Sequence, residues 1–212
     1  MKVPADFPAP NAKPRTGNCM IGIILLAAGN SSRLGQSKQL VNVGGVPLLR
    51  KTTLTALGTN LPVVVVLGSN ATAHQQVLQG IPARIVQNTN WNKGMGSSLK
   101  AGLAYLVNHY TEITGALILV CDQPYLTTGH LQKIISEFTE SQSPIVASTY
   151  NNITGVPALF SKALFPELFK LADDEGARKV IQQLVQQTKT VDFENGEIDL
   201  DTPGDLLHLP GN

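Results

Sequence analysis

The sequence predicts a Rossmann-like α/β fold with a mostly parallel sheet. The first indication is a set of short, continuous apolar runs, of which residues 21–27, 61–67 and 115–121 are the clearest. Such runs are typical of strands that are buried on both faces, as in parallel sheets. The second indication is that helical patterns alternate with these runs, beginning with the apolar spacing of residues 46–57. We therefore expect layers of helices on both faces of the sheet.

The length and composition of the chain indicate one domain in a reducing compartment. Its 212 residues suffice for one substantial core, and no repeat or long linker divides them. The formal net charge of +1 gives no sign of a nucleic acid or an anionic membrane as partner. No apolar run has the length of a transmembrane helix. Two cysteines without a CxxC pair predict neither a disulfide framework nor a zinc site, which fits the cytoplasm.

The first 18 residues differ from the remainder of the chain. They hold four of the 13 prolines and lack the apolar region of a secretory signal. We expect residues 1–18 to form a disordered leader, with Met20 as an alternative start, and residues 19–212 to form the single domain.

The first apolar run ends in a small polar loop that suits a phosphate group. Gly29 and Ser31 open this loop, and the cations Arg33 and Lys38 follow within a few residues. Small residues let the backbone approach a ligand, and consecutive N–H groups can form an anion-binding concavity. The alternative is an ordinary turn whose cations are merely solvated. Neither GxxxxGK[ST] nor GxGxxG, the two familiar phosphate-binding patterns, is present.

A second polar loop follows the third predicted strand, residues 83–87. Gly94 and Gly96 loosen its backbone, and Ser97 and Ser98 stand where the next helix begins. Hydroxyls at a helix N-terminus are usually caps, but they can also bond a base edge or a phosphate.

Asp122 is the strongest chemical indication in the chain, because it directly follows the apolar run 115–121. A carboxylate buried there without a partner is costly, so we expect it at the sheet edge, facing a cation. Mg²⁺ held by one or two carboxylates and by substrate phosphates would satisfy it. The alternative role, a helix cap, is weakened because Thr127 and Thr128 stand closer to the next helix. Cys121 is expected to be a small buried residue and not a nucleophile.

The last third of the chain is expected to hold a fifth strand at residues 144–148, a polar loop, and a helix at residues 163–171. Near the end, Ile198 and Leu200 alternate with Asp199 and Asp201, which would place both carboxylates on one face of a strand.

Five segments together resemble the MobA-like family of nucleotidyltransferases. AAGNSSRLGQSK at 27–38 resembles the signature LAAGxSxRxGxxK, and NTNWNKGMGSSL at 88–99, CDQP at 121–124 and DLDTPGD at 199–205 extend the likeness. DDEGAR at 173–178 resembles GDxGAR, with Asp173 where the pattern has Gly. The nearest branch is that of the molybdenum cofactor cytidylyltransferases. The likeness implies a three-layer sandwich of the nucleotide-diphospho-sugar transferase type.

The resemblance also implies roles for individual residues. The residues expected on the nucleotide side are Ala27, Ala28, Gly29, Ser31, Arg33, Lys38, Asn88, Gly94 and Ser98. The expected catalytic residues are Arg33, Lys38 and Asp122. The expected metal ligands are Asp122 and either Asp201 or Asp199. Gly155, Pro157 and Arg178 are expected to face the second substrate, although Gly155 and Pro157 suit a plain turn and Arg178 suits an ion pair with Asp174.

The implied activity is transfer of a nucleoside monophosphate from an NTP to the phosphate of molybdopterin, with Mg²⁺ or, alternatively, Mn²⁺. CTP is the favoured donor and GTP the alternative, while a sugar phosphate is the alternative acceptor. The implied recipient of the product is a molybdoenzyme of the xanthine dehydrogenase type. Two further hypotheses, a non-catalytic maturation chaperone and a dehydrogenase, fit less well, because a chaperone needs no Asp122 with Lys38 and a dehydrogenase needs GxGxxG.

Overall fold

A computed structural model describes residues 20–31, 34–200, 202 and 204–205. The expected leader, Arg33 and Asp201 lie outside these residues. Numbered along the chain, the strands are β1 (Met20–Ala27), β2 (Asn42–Val43), β3 (Val46–Pro47), β4 (Val63–Leu67), β5 (Arg84–Gln87), β6 (Ile113–Val120), β7 (Ile145–Tyr150), β8 (Ile153–Ser161) and β9 (Thr188–Asp192). The helices are α1 (Leu48–Leu57), α2 (Ala71–Val77), α3 (Met95–His109), α4 (Thr128–Ser141), α5 (Phe165–Lys170) and α6 (Arg178–Gln183).

Within the described residues, seven strands form one sheet in the order β5-β4-β1-β6-β8-β7-β9. The neighbours β5, β4, β1 and β6 are parallel, and β9 is parallel to β7. Only β8 among these seven runs antiparallel to its neighbours, β6 and β7. The predicted α/β class and mostly parallel sheet are thereby confirmed.

Helices cover both faces of this sheet because the side chains of its central strands alternate between two cores. Ile23 and Leu25 of β1 lie in one core with apolar residues of α1 and α4. Ile24 and Leu26 lie in the other core with apolar residues of α3, α5 and α6. Burial on both faces explains why the strand reads as one apolar run.

Two stretches differ from the expectations. Residues 149–160 were expected to form a polar loop before the next helix, but residues 149–150 lie in β7 and residues 153–160 lie in β8. The pairing of β7 with β8 shifts in register between Ala147 and Ser148, and the shift leaves Val156 and Pro157 without partners in β7. An irregularity of this kind tolerates a proline, which has no N–H to donate. The edge strand β9 had no counterpart in the sequence analysis.

The start of α1 also differs in detail. Pro47 was expected in the first helical turn, but it occupies the N-cap position and belongs to β3. At the start of α4 the expectation is confirmed, because the Thr127 side chain accepts a hydrogen bond from His130 N–H at 3.2 Å.

The carboxyl ends of β1, β4 and β6 lie at one edge of the sheet, because these strands are parallel. In open α/β sheets this edge is where ligands bind. The loops that follow β1 and β6 carry Lys38 and Asp122, which are thereby brought to the same edge.

Candidate active site

A cavity of about 730 Å³ opens at this edge of the sheet. Its walls come from the loop after β1, the first turn of α3 and the end of β6. Of the residues expected on the nucleotide side, those that line it are Ala27, Ala28, Gly29, Ser31, Lys38, Gly94 and Ser98. Asp122 lines the same cavity. The volume falls in the range of pockets that hold small ligands and cofactors.

Lys38 and Asp122 form an ion pair inside this cavity. Lys38 Nζ donates to Asp122 Oδ2 at 3.3 Å, with the two side chains 15% and 25% exposed. The expected meeting of a cation from the first loop with the carboxylate after β6 is therefore present. Partial burial strengthens such a pair relative to one on the open surface.

Gln39 holds the first loop in place, a role that the sequence analysis missed. It is only 2% exposed. Its Nε2 donates to Ala27 O at 3.2 Å and to Gly29 O at 3.0 Å, and its Oε1 accepts from Ser37 Oγ at 2.8 Å and from Ser31 Oγ at 3.2 Å. One buried amide thus joins the end of β1 to the segment that carries Lys38. Its position directly after the Lys38 of the signature was the only available signal.

Ser31 has an internal role in this network. Besides donating to Gln39, its Oγ accepts from Lys38 N–H at 3.0 Å. The residue has a positive φ of 53°. The side chain expected to contact the nucleotide therefore orders the loop backbone that carries Lys38.

His74 of α2 also belongs to this hydrogen-bond network. Its Nε2 lies 2.7 Å from Ser37 Oγ, and the ring is completely buried. Because the Ser37 hydroxyl donates its single hydrogen to Gln39, it must accept from His74, which places the imidazole hydrogen on Nε2. Burial lowers the pKa of His74, which favours this neutral form.

The second polar loop is built around Asn88, which is 7% exposed and follows β5. Its Nδ2 donates to Ser97 Oγ at 2.9 Å and to Ser98 Oγ at 3.0 Å. Helix α3 begins at Met95, so both serines lie in its first turn, and neither is its N-cap. Asn88 does not line the cavity itself. It holds Ser98, which does line the cavity, and the neighbouring Ser97.

Asp173, the departure from the family pattern, packs against this loop. Lys100 Nζ donates to Asp173 Oδ1 at 2.6 Å, and Ser97 N–H donates to Asp173 O at 3.1 Å. Gly94 and Gly96 permit the approach: a Cβ on either residue would lie 2.6 Å or less from a backbone oxygen of residues 172–173. The hydrogen bond from Lys100 lowers the pKa of the Asp173 carboxyl.

Gln123 joins two distant segments to the tip of β6 and was also missed. This residue is buried, and its Nε2 donates to Gly196 O at 3.0 Å and to Val156 O at 3.3 Å. Alongside it, Leu200 N–H donates to Asp122 O at 2.9 Å. These bonds bring residues 155–157 of β8 and the segment around Asp199 next to Asp122.

Tyr150 lies at the centre of the expected second-substrate side. Burial raises the pKa of its hydroxyl, Asp199 and Asp122 raise it further, and Arg178 opposes them. Each of these three charges is therefore close enough to influence the phenol. Its OH group also fills the space that a Cβ on Gly155 would need, at 2.8 Å. A half-buried tyrosine at the end of a strand gave no distinctive signal in the sequence.

Two expectations for this side are wrong. Residues 198–200 form no strand, so the alternation that placed Asp199 and Asp201 on a common strand face does not hold for the described part. Likewise, no ion pair joins Arg178 to Asp174 among the described residues, and Glu175 pairs with Lys179 instead.

The donor set of the cavity suits a hard divalent cation. Asp122 faces the cavity, and Asp199 lies on the segment bonded to it. The described residues contain no cluster of three or more His, Cys, Asp or Glu side chains that could hold a metal ion alone. A divalent cation such as Mg²⁺ is commonly held by one or two carboxylates together with substrate phosphates. Cys121 is buried and its pKa is raised, so it supplies no thiolate.

None of the helices among the residues that the structure describes has both the length and the apolar character needed to cross a bilayer.

Comparison with known proteins identifies relatives along most of the chain. A model of the MobA-like NTP transferase domain matches residues 23–189. Nicotine blue oxidoreductase from Paenarthrobacter nicotinovorans is 32% identical, over 90% of this chain and 96% of that protein. Purine catabolism protein PucB from Bacillus subtilis strain 168 is 30% identical, over 87% and 92% respectively. Molybdenum cofactor cytidylyltransferase from Escherichia coli strain K12 is 26% identical, over 88% and 94%.

Solved structures are also similar to this chain along most of its length. Rv0371c from Mycobacterium tuberculosis H37Rv has a TM-score of 0.77 at 26% identity, covering 91% of this chain and 98% of that one. A complex of the same protein with manganese has a TM-score of 0.75 at 25% identity, covering 90% and 97%. The expected fold of the nucleotide-diphospho-sugar transferase type is confirmed.

Proposed function

Because the chain belongs to the MobA-like NTP transferase family, related to the molybdenum cofactor cytidylyl- and guanylyltransferases, we propose that it transfers CMP from CTP to the phosphate of molybdopterin and releases pyrophosphate. The observation that carries the proposal is the Lys38–Asp122 pair, 3.3 Å apart in a cavity of about 730 Å³. A triphosphate with its metal ion requires at least one cation, which neutralises phosphate charge, and one carboxylate, which binds the metal ion. CTP is favoured over GTP because the relative from Escherichia coli named above is a cytidylyltransferase.

In this reaction an oxygen of the pterin phosphate attacks the α-phosphorus of CTP. A new P–O bond forms, the bond between the α-phosphorus and the oxygen that bridges to the β-phosphorus breaks, and that oxygen leaves with pyrophosphate. The protein supplies positioning and charge neutralisation and forms no covalent intermediate. No general base is needed, because a phosphate monoester is already largely ionised near neutral pH.

Lys38 is placed to neutralise negative charge on the triphosphate. Its Nζ faces the cavity, and its backbone N–H is tied to Ser31. We assign it, together with Arg33, to the β- and γ-phosphates, where charge grows as pyrophosphate leaves. Gln39 keeps the loop open by holding the carbonyls of Ala27 and Gly29, which would otherwise face the phosphates.

Asp122, with Asp199 or Asp201, would hold Mg²⁺, or Mn²⁺, which supplies charge neutralisation at the phosphate oxygens when bound. The manganese complex of the Mycobacterium tuberculosis relative supports a divalent ion in this fold. In the described structure Lys38 pairs with the same carboxylate, so binding of the nucleotide requires Lys38 to exchange Asp122 for phosphate oxygens.

We assign the acceptor to the side formed by residues 155–157 of β8, Tyr150 and Arg178. The Arg178 guanidinium can bond a phosphate in a bidentate way, and the Tyr150 ring offers a flat apolar surface beside it. Gln123 fixes this side relative to Asp122 through its bonds to Val156 O and Gly196 O.

We further propose that the product passes to a molybdoenzyme of the xanthine dehydrogenase type in the cytoplasm. Two relatives support a link to oxidative catabolism through their names, nicotine blue oxidoreductase and purine catabolism protein PucB.

The first of these names also favours a second candidate function, an oxidoreductase. A pyridine dinucleotide carries a pyrophosphate, which the same loop and Lys38 would suit. The absence of GxGxxG and the presence of Asp122 beside Lys38 favour nucleotidyl transfer.

The test is release of pyrophosphate from each of the four NTPs with Mg²⁺ and molybdopterin, run beside an assay of NADH and NADPH oxidation. Release that requires the pterin and is fastest with CTP is expected. Release that is fastest with GTP would make the protein a guanylyltransferase. Release with a sugar phosphate in place of molybdopterin would show that the acceptor is a sugar phosphate. Binding of the pterin without any release would indicate a maturation chaperone, and oxidation of NADH or NADPH without release would establish the second candidate.

A further inference from the structure

We propose that Asn88 sets the polarity of the Ser98 hydroxyl, so that this hydroxyl donates a hydrogen bond to an acceptor atom of the nucleobase. Asn88 is then a positioning residue that acts through Ser98. The inference rests on the proposed function, because it assumes that the cavity takes the base of an NTP.

The orientation of the Asn88 amide is fixed by a backbone group. Asn90 N–H donates to Asn88 Oδ1 at 2.9 Å. A backbone N–H can only donate, so the amide oxygen must face Asn90 and the NH₂ group must face the two serines. Its two hydrogens are then directed at Ser97 Oγ and Ser98 Oγ, at 2.9 and 3.0 Å. A flip of the amide would place donor against donor at Asn90.

The Asn88 backbone is equally well anchored. Its N–H donates to Leu67 O at the end of β4, at 2.8 Å, and its C=O accepts from Trp91 N–H at 3.3 Å. The residue is 7% exposed, so water has little access to compete for the amide. A buried network with its groups satisfied holds one orientation.

The two serines differ in where their own hydrogens go. Ser97 Oγ lies 2.8 Å from Gly94 O and 3.0 Å from Asn90 O, so its hydrogen is used within the protein. Ser98 Oγ accepts from Asn88, and the described residues offer its hydrogen no acceptor. Ser98 is 3% exposed and lines the cavity, so its O–H remains as a donor for a ligand.

A hydroxyl held in this way prefers an acceptor on the base. Cytosine offers two acceptors, O2 and N3, to such a donor. A donor group of a base in the same place could use only the second lone pair of this oxygen and would leave the hydroxyl hydrogen without an acceptor. The resulting selection is for an NTP with an acceptor at that point of its base.

The test is Asn88→Asp, which keeps the shape of the side chain and reverses its polarity. One carboxylate oxygen can still accept from Asn90 N–H, while the other can only accept, which draws the Ser98 hydrogen away from the cavity. We expect CTP, titrated by calorimetry with Mg²⁺, to bind about ten-fold more weakly, the size of one neutral hydrogen bond. Inorganic tripolyphosphate, which has no base, should bind as before.

The matched control is Gln87→Glu. It makes the same amide-to-carboxylate change one residue away, on an exposed side chain that does not line the cavity. This variant should bind CTP like the unchanged protein.

A double-mutant comparison separates polarity from structural support. Ser98→Ala should also weaken CTP binding, and Asn88→Asp added to Ser98→Ala should cause no further loss. Additive losses, or an Asn88→Asp protein that binds CTP normally, would overturn the inference and leave the proposed function standing. A wild-type protein that binds no NTP and releases no pyrophosphate would overturn both.

Discussion

Lys38 Nζ lies 3.3 Å from Asp122 Oδ2, although 84 residues separate them in the chain. The pair forms because two parallel strands, β1 and β6, are neighbours and end at the same edge of the sheet. The strand order thus places a cation and a carboxylate in contact within one cavity.

The first prediction concerns this pair. Lys38→Ala and Asp122→Ala should each lower the rate of pyrophosphate release to less than a tenth, which corresponds to about 1.4 kcal/mol or more of barrier. Lys162→Ala, at an exposed lysine far along the chain, is the control and should keep the rate. A rate above a tenth in either variant would exclude that residue from the mechanism, provided that circular dichroism shows the fold intact.

The second prediction concerns Gln39. Gln39→Leu should lower the free energy of unfolding by about 2 kcal/mol, because it leaves the buried carbonyl of Ala27 and the partly buried carbonyl of Gly29 without their donor. It should also raise KM for the nucleotide more than it lowers kcat, because the loop loses its shape while Lys38 keeps its charge. Urea unfolding and steady-state kinetics measure the two effects. An unchanged KM would show that the amide does not shape the phosphate loop.

The third prediction is a dependence of stability on pH. Burial lowers the pKa of His130 to about 4 from its ordinary value of 6.5. Between these values the unfolded chain binds a proton that the folded chain does not, so the free energy of unfolding should fall as pH falls from 6.5 to 4. Above pH 6.5 this contribution is fully present.

His130→Phe should weaken this dependence while keeping the stacking on Phe193, whose ring centroid lies 4.4 Å away. Urea unfolding between pH 7 and pH 4 measures it, with His109→Gln on the exposed end of α3 as the control. The His130 variant also loses the 2.8 Å hydrogen bond to Ser148, whose hydroxyl keeps its bond to Pro157 O, so slopes with pH are compared and not absolute stabilities. Equal slopes in the two variants would contradict the prediction.

The fourth prediction concerns the contact between the second polar loop and residues 172–175. A Cβ on Gly96 would lie 2.2 Å from Ala172 O, so Gly96→Ala should force the segments apart and destabilise the fold by about 2 kcal/mol. Gly129→Ala is the matched change within α4, where the nearest atom would be 3.9 Å away. It should be neutral or slightly stabilising. Thermal unfolding of both variants provides the comparison.

The sequence was informative wherever burial alone determines the residue type. The apolar runs of β1, β4 and β6 could be recognised because both of their faces are covered, and each occurs where it was expected. Strand β8 was not recognised, because Gly155 and Pro157 are typical turn residues. The register shift in β7, opposite Gly155 and Pro157, shows how the sheet accommodates these two residues. The edge strand β9 is polar and half-exposed, so it has no apolar run to reveal it.

The same limit applies to the site. Lys38 and Asp122 carry charge next to small residues, and such a pattern can be read from one sequence. Gln39 and Gln123 act through hydrogen bonds to carbonyls of other segments, and those carbonyls have no side-chain signature. Asn88 was identified as a nucleotide-side residue, but only coordinates show that it works through two neighbouring serines.

The connection from Asp122 into Gln123 separates the two proposed sides of the site along the chain. Every residue assigned to the nucleotide precedes Asp122, and every residue assigned to the acceptor follows Gln123. The proposed function therefore predicts that donor and acceptor preference are encoded in consecutive stretches and can be recombined. A hybrid joining residues 20–124 to the remainder of a guanylyltransferase should keep its choice of nucleotide and adopt the foreign acceptor, as product analysis by mass spectrometry would reveal.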